Sequence, residues 1–301
     1  MRRLGLFLIG AGLAAGVFGL TGGRAVPHAD AAAPPLPAHP LRVMSLNQCT
    51  DQIVLALLPK DRITSVTWLS RDPLTSRMAA QAREVGANFG AAEEVLAERP
   101  DLVVTGVFTT GALKGLLRRL GIAVYEAETP ESFDAIARVT REMAAVLGET
   151  AKAEAMIAAM TARLAEAAKA PTHLRVAAWD GGGYAPGAGT LYHELLTAAG
   201  AVNVAAADGV NQFAEFDAEA VLMTAPDALV QGVPTPDEPG LRREAETHPL
   251  ARRFYADRTV TVPQWAYVCG TTYSAEAVTL LAAAFAALKR QGLDTPPFGA
   301  P

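Results

Sequence analysis

The sequence predicts an α/β protein made of two doubly wound lobes with parallel sheets, joined by one long α-helix, with a ligand cleft between the lobes. Two observations lead to this prediction. A similar phrase occurs twice, at 92–106 and at 217–232, and a Pro-free, Ala-rich segment at 131–170 separates the two copies. The 301 residues are half apolar and 19% charged, so the chain is long and apolar enough to bury a sizeable core.

The repeated phrase has apolar residues on both sides of a Pro-Asp pair. Val95 matches Val221, and Pro100 matches Pro226. Because proline ends a helical hydrogen-bond ladder and a continuous apolar run suits a buried parallel strand, each copy predicts a short helix followed by a strand. A common α/β phrase that occurs twice by chance is the alternative. Both copies follow an Arg-Val strand start and an apolar helix, and this shared order counts against chance.

Predicted strands alternate with predicted helices in both halves. The first half has a strand at 42–46, a helix at 50–58, a strand at 62–67, a helix at 91–98, a strand at 101–105, a helix at 111–120 and a strand at 122–125. The second half has a strand at 174–179, helices at 190–199 and 217–224, a strand at 227–231, a helix near 247–255, a strand at 258–262 and a helix at 274–289. Such alternation forms parallel sheets with helices on both faces.

The segment between the halves predicts two helices with a break at Gly148. The second helix, at about 149–169, would be roughly 30 Å long. A helical linker is stiff, so the lobes should move by a modest tilt. The predicted boundaries are an N-terminal lobe at 41–130, a helical linker at 131–170, a C-terminal lobe at 171–292 and a disordered tail at 293–301.

The first residues predict a signal peptide at 1–31. Two arginines precede an apolar run at 4–20, and Ala29-Asp30-Ala31 forms an A-x-A cleavage site. An uncleaved membrane anchor is the alternative, although the run is short of the roughly 20 residues that a spanning helix needs. We therefore expect a periplasmic protein, exported by a cleaved signal peptide, with a disordered Pro-rich tether at 32–40.

Charge and motifs exclude several functions. The net charge of -5, without a basic run, argues against a nucleic-acid partner. The sequence has no G-x-S-x-G, H-E-x-x-H or G-x-x-x-x-G-K-[ST] motif, and its histidines are too scattered for a zinc site. We expect no catalytic residue, no metal site and no cofactor. The Gly-rich stretch at 181–190 is interpreted as a flexible cleft loop.

The chain resembles the periplasmic substrate-binding proteins of ABC importers for vitamin B12, iron siderophores and haem. The resemblance runs from about Leu41 to Leu288. It rests on the echoed helix-Pro-Asp-strand and on the phrases RVMSLNQCTDQIVLAL, LRRLGIAVYEAETPESFDAIARVTREMAAVLG, GTLYHELLTAAGAVNVA and HPLARRFYADRTVTVP. It implies a monomeric receptor that captures a metal chelate and delivers it to an ABC permease and its ATPase. A cobalamin or related corrinoid is favoured, then haem or a ferric siderophore.

Two other functions are alternatives to the receptor. One is an exported α/β enzyme, and the other is a sensing partner module that binds a cofactor-like ligand. A convergent acid-base pair in the cleft would favour the enzyme, whereas a cleft of aromatic side chains without such a pair favours the receptor.

The resemblance implies that one exposed glutamate on each lobe docks onto arginines of the permease. Glu93 and Glu219 occupy the matching positions of the repeat. Two carboxylates on separate lobes would give register and steering more than affinity. Glu94 is the alternative to Glu93, and plain solvated helix charges are the alternative for both.

Loops at the carboxyl ends of the strands are the expected ligand site. Aromatic side chains in these loops suit a large planar ligand, and packing beneath a loop is the alternative for each. The candidate ligand-binding residues are Asn47, Gln48, Trp68, Arg71, Phe89, Phe108, Tyr184, Phe213, Trp265 and Tyr267. Arg71 would meet a ligand carboxylate or phosphate, or instead pair with Asp72 or face solvent. Tyr184, Tyr267 and His193 are unranked candidates for an axial ligand to a bound metal.

The two cysteines, Cys49 and Cys269, both follow predicted strands and so belong to loops that face the cleft. Three interpretations remain open: a disulfide that bridges the lobes, two separate thiols that line the pocket, or soft ligands to a bound metal. An oxidising compartment permits the bridge.

Overall fold

The structure is a computed structural model that describes residues 34–179, 183–233 and 249–298. The predicted signal peptide at 1–31 lies outside these ranges, and so does part of the predicted cleft loop. Across the described ranges, no helix is both long and apolar enough to cross a membrane.

The N-terminal lobe is built on a five-stranded parallel sheet with the order β3-β2-β1-β4-β5. Its strands are β1 (Val43–Ser45), β2 (Ile63–Thr67), β3 (Gly86–Asn88), β4 (Leu102–Gly106) and β5 (Val124–Ala127). Its helices are α1 (Gln48–Leu57), α2 (Ala79–Ala82), α3 (Ala92–Glu98) and α4 (Gly111–Arg119). Val43 and Met44 belong to separate buried clusters, since successive side chains of a strand point to opposite faces. Both faces are therefore covered, as predicted.

The C-terminal lobe is built on a four-stranded parallel sheet with the order β11-β10-β6-β8, beside a two-stranded antiparallel sheet of β7 and β9. The strands are β6 (Arg175–Ala178), β7 (Tyr184–Pro186), β8 (Val202–Asn203), β9 (Phe213–Glu215), β10 (Ala228–Gly232) and β11 (Thr259–Val262). The helices are α7 (Leu191–Ala198), α8 (Val204–Ala207), α9 (Ala218–Thr224), α10 (Pro249–Phe254), α11 (Trp265–Val268) and α12 (Ser274–Arg290). The two parallel sheets confirm the predicted fold class.

The helix of the repeated phrase ends in the same way in both lobes. Arg99, the residue after α3, has a φ of 49°, and Ala225, the residue after α9, has a φ of 42°. These are left-handed conformations that residues other than glycine seldom adopt. In each copy proline follows at once, because it cannot continue a helix. Val95 and Val221, the matched positions inside the two helices, are both fully buried.

The Pro-Asp pair joins that helix to the first strand of its lobe. The Asp101 carboxylate accepts from the backbone N–H of Arg42 at 3.0 Å, and the Asp227 carboxylate accepts from that of Arg175 at 2.8 Å. The Arg42 guanidinium donates to the carbonyl of the last residue of α3, and that of Arg175 donates to the last carbonyl of α9. The repeat therefore reflects one structural device that is used in both lobes.

The linker is a helical hairpin. Helix α5 (Phe133–Leu147) ends at Gly148, whose φ of 77° turns the chain into α6 (Thr150–Ala167), so the structure has a break at the predicted glycine. Phe133 and Ile136 at the start of α5 join the C-terminal core, whereas Met143 and Leu147 near its end join the N-terminal core. With 18 residues, α6 is about 27 Å long and returns the chain to the second lobe.

Packing orders some residues at both ends of the described chain that we predicted to be disordered. The carbonyl of Pro40 accepts from Nε and Nη2 of Arg62 at 3.0 and 2.7 Å. At the other end, the ring of Phe298 lies edge-on to those of Phe254 and Tyr255, with centroids 5.2 and 6.2 Å away. The predicted tether and tail are thus partly anchored to the lobes.

Asp51 is a fully buried carboxylate that ties α1 to the end of β2. Its Oδ2 accepts from the backbone N–H of Thr67 at 2.9 Å, from the hydroxyl of the same residue and from Oγ of Ser70 at 2.7 Å. Burial raises the pKa of Asp51 to about 7, although hydrogen bonds from Ser45, Thr67 and Ser70 oppose the shift. The folded state therefore holds this proton well above the usual pKa of an aspartate.

The raised pKa of Asp51 predicts how the free energy of unfolding depends on pH. Since the folded pKa lies above the unfolded one, stability that is present below about pH 4 is lost as the pH rises through about 7. Relative to Asp51→Asn, the wild-type free energy of unfolding should fall by up to about 4 kcal/mol across this range. Urea unfolding of both proteins at pH 4, 6 and 8 measures the difference. Asp61→Asn, at an exposed aspartate, is the control, and parallel profiles for wild type and Asp51→Asn would contradict the prediction.

Candidate functional site

A cavity of about 360 Å³ lies between the two lobes. Phe108 from the N-terminal lobe and Thr129–Glu131 at the start of the linker form one side of it. The carboxyl ends of β6 and β10, the start of α7, the β7–β9 pair and the end of α11 form the other side. The cavity therefore occupies the position where α/β sheets usually bind ligands.

Hydrogen bonds made by two lining residues, Trp179 and Gln231, hold the inner part of the cavity. Trp179, which is almost fully buried after β6, donates from Nε1 to the carbonyl of Phe216 at 3.0 Å. Gln231 in the neighbouring strand β10 donates from Nε2 to the carbonyl of Trp179 at 3.1 Å. These bonds fix the large indole at the junction of the two strands.

A pair of tyrosines forms another part of the lining. The rings of Tyr192 on α7 and Tyr267 on α11 have centroids 4.6 Å apart and are tilted by 42°. The Tyr267 hydroxyl reaches so close to Gly232 that a Cβ there would lie 2.2 Å from it. Glycine at the end of β10 therefore makes room for the phenol.

Three exposed aromatic side chains line the outer part of the cavity. Phe108 is 79% exposed and Phe213 is 66% exposed, and Tyr184 is also exposed. In the antiparallel pair of β7 and β9, Pro186 lies opposite Phe213, so Tyr184, Pro186 and Phe213 share one face. All three line the cavity. The interpretation of 181–190 as a flexible loop is therefore wrong for Tyr184–Pro186, which pair with a second strand, while 181 and 182 lie outside the described residues.

Trp68 and Phe89 form a second exposed aromatic pair. Their ring centroids are 6.2 Å apart and their planes differ by 29°. They follow β2 and β3, so they lie on the same edge of the N-terminal sheet as Phe108, which follows β4. They do not belong to the lining of the cavity itself.

Asn47 and Gln48 have local structural roles. The Asn47 side chain accepts from the backbone N–H groups of Cys49 and Thr50 and so caps α1. Gln48 donates from Nε2 to the Thr75 hydroxyl at 2.7 Å. Neither side chain lines the cavity.

Arg71 and Trp265 also lie outside the lining of the cavity. Arg71 donates to the carbonyls of Ala82 at 3.2 Å and Val85 at 2.8 Å, so its guanidinium braces a loop. The guanidinium therefore contacts backbone carbonyls in place of the Asp72 carboxylate or solvent, whereas its contact with a ligand anion stays a prediction. Trp265 packs against the C-terminal core beneath the guanidinium of Arg77, which lies 5.8 Å from its ring centroid.

The sequence analysis did not identify several lining residues. Tyr192 is inside a helix, Gln231 and Gly232 end β10, and Thr129–Glu131 begin the linker. The rule that ligands bind at the carboxyl ends of strands applies to β10 and would have found its end. Nothing in the sequence distinguishes Tyr192 from an ordinary core tyrosine, because its position depends on how α7 packs.

The lining is mostly apolar and carries little charge. Glu131 is the one charged side chain on the described part of the lining, and no histidine joins it there. Tyr184 and Tyr267 line the cavity, whereas His193 lies beside Asn203 and does not. Nor do three or more His, Cys, Asp or Glu side chains come together to hold a metal anywhere in the described ranges. A mostly apolar and aromatic lining with a few polar groups is typical of small-molecule binding sites.

Glu93 and Glu219 occupy the same place in the two lobes. Each is the second residue of its helix, α3 or α9, and each is exposed. Within the described ranges neither forms an ion pair. Glu94, by contrast, accepts from the backbone N–H groups of Phe89 and Ala91 and caps α3. Glu93 is therefore the carboxylate that is available to a partner.

The two cysteines of the chain form a disulfide. The Cα atoms of Cys49 and Cys269 are 4.9 Å apart, a normal separation for such a bond, and no free cysteine remains. Separate thiols and soft metal ligands are therefore not the state seen here. The bond joins α1 of the N-terminal lobe to the end of α11 in the other lobe. Val268 and Gly270, on either side of Cys269, both line the cavity.

A protein-family model described as periplasmic binding protein matches residues 43–259 of the chain. Two curated cobalamin-binding proteins, from two strains of Halobacterium salinarum, are each 27% identical to it over 213 residues. The match covers 69% of this chain and 58% of theirs, so the chain spans less than two thirds of these relatives' length.

Solved structures share the fold. A periplasmic heme binding protein from Pseudomonas aeruginosa has a TM-score of 0.68 at 21% identity, and the alignment covers 87% of this chain and 96% of that one. A periplasmic vitamin B12 binding protein of Vibrio cholerae has a TM-score of 0.62 at 18% identity, with coverage of 85% and 100%.

Proposed function

The chain belongs to the periplasmic binding protein family, and on that premise we propose that it is the periplasmic receptor of an ABC importer for a metal chelate. It captures the chelate between its lobes and delivers it to the permease and its ATPase, without chemistry of its own. The observation that carries this proposal is the aromatic lining of the cavity between the lobes. The aromatic lining residues are Phe108, Trp179, Tyr184, Tyr192, Phe213 and Tyr267.

A cobalamin or related corrinoid is the favoured ligand, followed by haem or a ferric siderophore. Flat aromatic side chains bury the face of a planar macrocycle and lose little rotamer freedom. The edge of a corrinoid ring carries mainly neutral amides, whereas haem carries two propionates that call for cationic partners. The described lining offers one carboxylate and no cation, which fits the corrinoid better. The name of the Halobacterium relatives points the same way.

The size of the cavity indicates how such a ligand is held. At about 360 Å³ it lies near the lower end of the range for small-molecule sites, about 300–1,000 Å³. A corrinoid would therefore insert one side and leave the rest against exposed rings. Phe108 and Phe213 border the cavity, and Trp68 and Phe89 continue along the edge of the N-terminal sheet.

Glu93 and Glu219 are the proposed contacts with the permease. The last carbonyl of α3 accepts from Arg42 just before β1, and that of α9 accepts from Arg175 at the start of β6, so these helices end at the amino edges of the sheets. Their first turns, which carry the glutamates, therefore lie toward the opposite edges, where the cavity is. A partner with a basic group for each lobe would sit over the ligand and keep a fixed register.

Truncation of the exposed rings tests the ligand site. Phe108→Ala and Phe213→Ala should each weaken binding of the chelate about 10-fold, because an exposed ring covers ligand area that alanine does not. Leu280→Ala, at an exposed leucine of α12, should leave affinity unchanged. Calorimetric titration with cobalamin, haemin and a ferric siderophore gives the dissociation constants. Failure of all three to bind the wild type would refute the ligand class, and equal affinity in the variants would refute the site.

Charge reversal tests the docking glutamates. Glu93→Lys with Glu219→Lys should abolish ligand uptake by cells while the affinity of the purified protein for its ligand stays the same. The matched control is Glu84→Lys with Glu166→Lys, which reverses two glutamates in exposed ion pairs that contribute little. Normal uptake by the docking variant, or loss of its ligand binding, would show that these residues have another role.

A further inference from the structure

The cavity depends on the angle between the lobes, because both lobes contribute to it. Phe108 belongs to the N-terminal lobe, whereas Tyr184, Phe213 and Tyr267 belong to the C-terminal lobe. A tilt of one lobe against the other would move these rings apart. Whatever sets the angle therefore also sets the shape of the ligand site.

The Cys49–Cys269 disulfide joins two firmly held positions in different lobes. Cys49 lies in the first turn of α1, where its N–H donates to Asn47 Oδ1 at 2.9 Å, and α1 is buried from Thr50 to Leu57. Cys269 is itself fully buried. The next residue, Gly270, approaches the linker so closely that a Cβ there would lie 2.5 Å from the carbonyl oxygen of Pro130. A bond between two such positions transmits lobe movement directly to the cavity wall.

A second contact between the lobes joins Arg77, just before α2, to α12. Arg77 of the N-terminal lobe donates from Nε to Glu276 of α12 at 2.9 Å, and its guanidinium lies 5.6 Å from the ring centroid of Tyr273. The Arg77 N–H also donates to the side chain of Gln52 at 2.9 Å, and Gln52 lies one turn after Cys49 on α1. Nearby, the backbone N–H of Trp265 donates to the carbonyl of Leu74 at 3.0 Å.

These contacts add to the resistance that the linker offers to a tilt of the lobes. A helical hairpin resists stretching and permits only a modest tilt of the lobes about it. The disulfide and the Arg77 contact attach α1 to α11 and α12 in addition to the linker. The bond also adjoins the cavity wall, because Cys269 lies between Val268 and Gly270, which both line the cavity.

We propose that the Cys49–Cys269 disulfide is a positioning group for the ligand site. Together with the Arg77–Glu276 ion pair it fixes the lobes at one angle and holds the wall formed by Val268 and Gly270 against the ligand. Ligand exchange then takes place past the exposed rings of Phe108 and Phe213, without opening of the lobes. The part of the proposal that concerns the lobe angle rests on the contacts alone. The part that concerns ligand binding rests on the proposed function.

Two measurements test the proposal on oxidised protein, on protein reduced with a phosphine, and on the Cys49→Ser/Cys269→Ser variant. Hydrogen-deuterium exchange at 265–271 and 72–77 should rise about 10-fold or more without the bond, while exchange in β1 and β6 stays the same. The ligand dissociation rate should rise at least 5-fold. The double variant should not respond to the phosphine. Equal exchange and equal dissociation rates in the presence and absence of the bond would overturn the proposal.

A second variant guards against loss of folding. Glu276→Gln keeps the disulfide and the fold but removes the ion pair, and should raise the dissociation rate about 2-fold or more. An unchanged rate would overturn the part of the proposal that concerns Arg77, whatever happens to the reduced protein. If the wild type binds none of cobalamin, haemin and a ferric siderophore, the proposed function fails. The exchange measurement still decides whether the disulfide fixes the lobes.

Discussion

The ligand cavity depends on the burial of α5 in both cores at once. The start of this helix packs in the C-terminal core through Phe133 and Ile136, and its end packs in the N-terminal core through Met143 and Leu147. Tilting the helix away from either lobe would expose buried apolar surface, which costs about 25 cal/mol per Å². The lobes therefore keep a separation at which Phe108 and Thr129–Glu131 face the second lobe across the cavity.

The two lobes share one construction but contribute unequally to the site. Both use the arginine and Pro-Asp device, which places α3 and α9, and with them Glu93 and Glu219, in equivalent positions. The C-terminal lobe supplies most of the cavity lining. In the N-terminal lobe, Asn47 after β1 caps a helix and Arg71 after β2 braces a loop, while Trp68 and Phe89 form an exposed aromatic pair. Equivalent folding thus leaves one lobe with a pocket and the other with a mainly flat aromatic edge.

Helix α1 combines several of these constraints. Cys49 bonds it to the second lobe, Asp51 bonds it to β2, and Gln52 accepts from Arg77. The buried Asp51 carboxylate has a cost in free energy when it is charged, which its hydrogen bonds only partly offset. Helix α1 is therefore held on several sides, and it lies next to the disulfide that borders the ligand site.

The repeat, the parallel sheets and the break at Gly148 were predictable from the sequence, because Pro, Gly and hydrophobic periodicity act locally. Strands β7 and β9 were not, since each is three residues long and is ordered by pairing with the other. The same division holds for the site. The strand-end rule selected Phe108, Tyr184, Phe213 and Tyr267, which line the cavity, and it also selected Asn47, Gln48 and Arg71, which do not.

The sequence by itself therefore determined the fold class and the edge of the sheets at which the cavity lies, because local patterns encode both. Only the tertiary structure decided how deep each side chain lies and which hydrogen bonds engage it. It also decided the pairing of Cys49 with Cys269. Those residues are 220 positions apart in the chain, and the packing of α1 against the second lobe brings their Cα atoms to 4.9 Å.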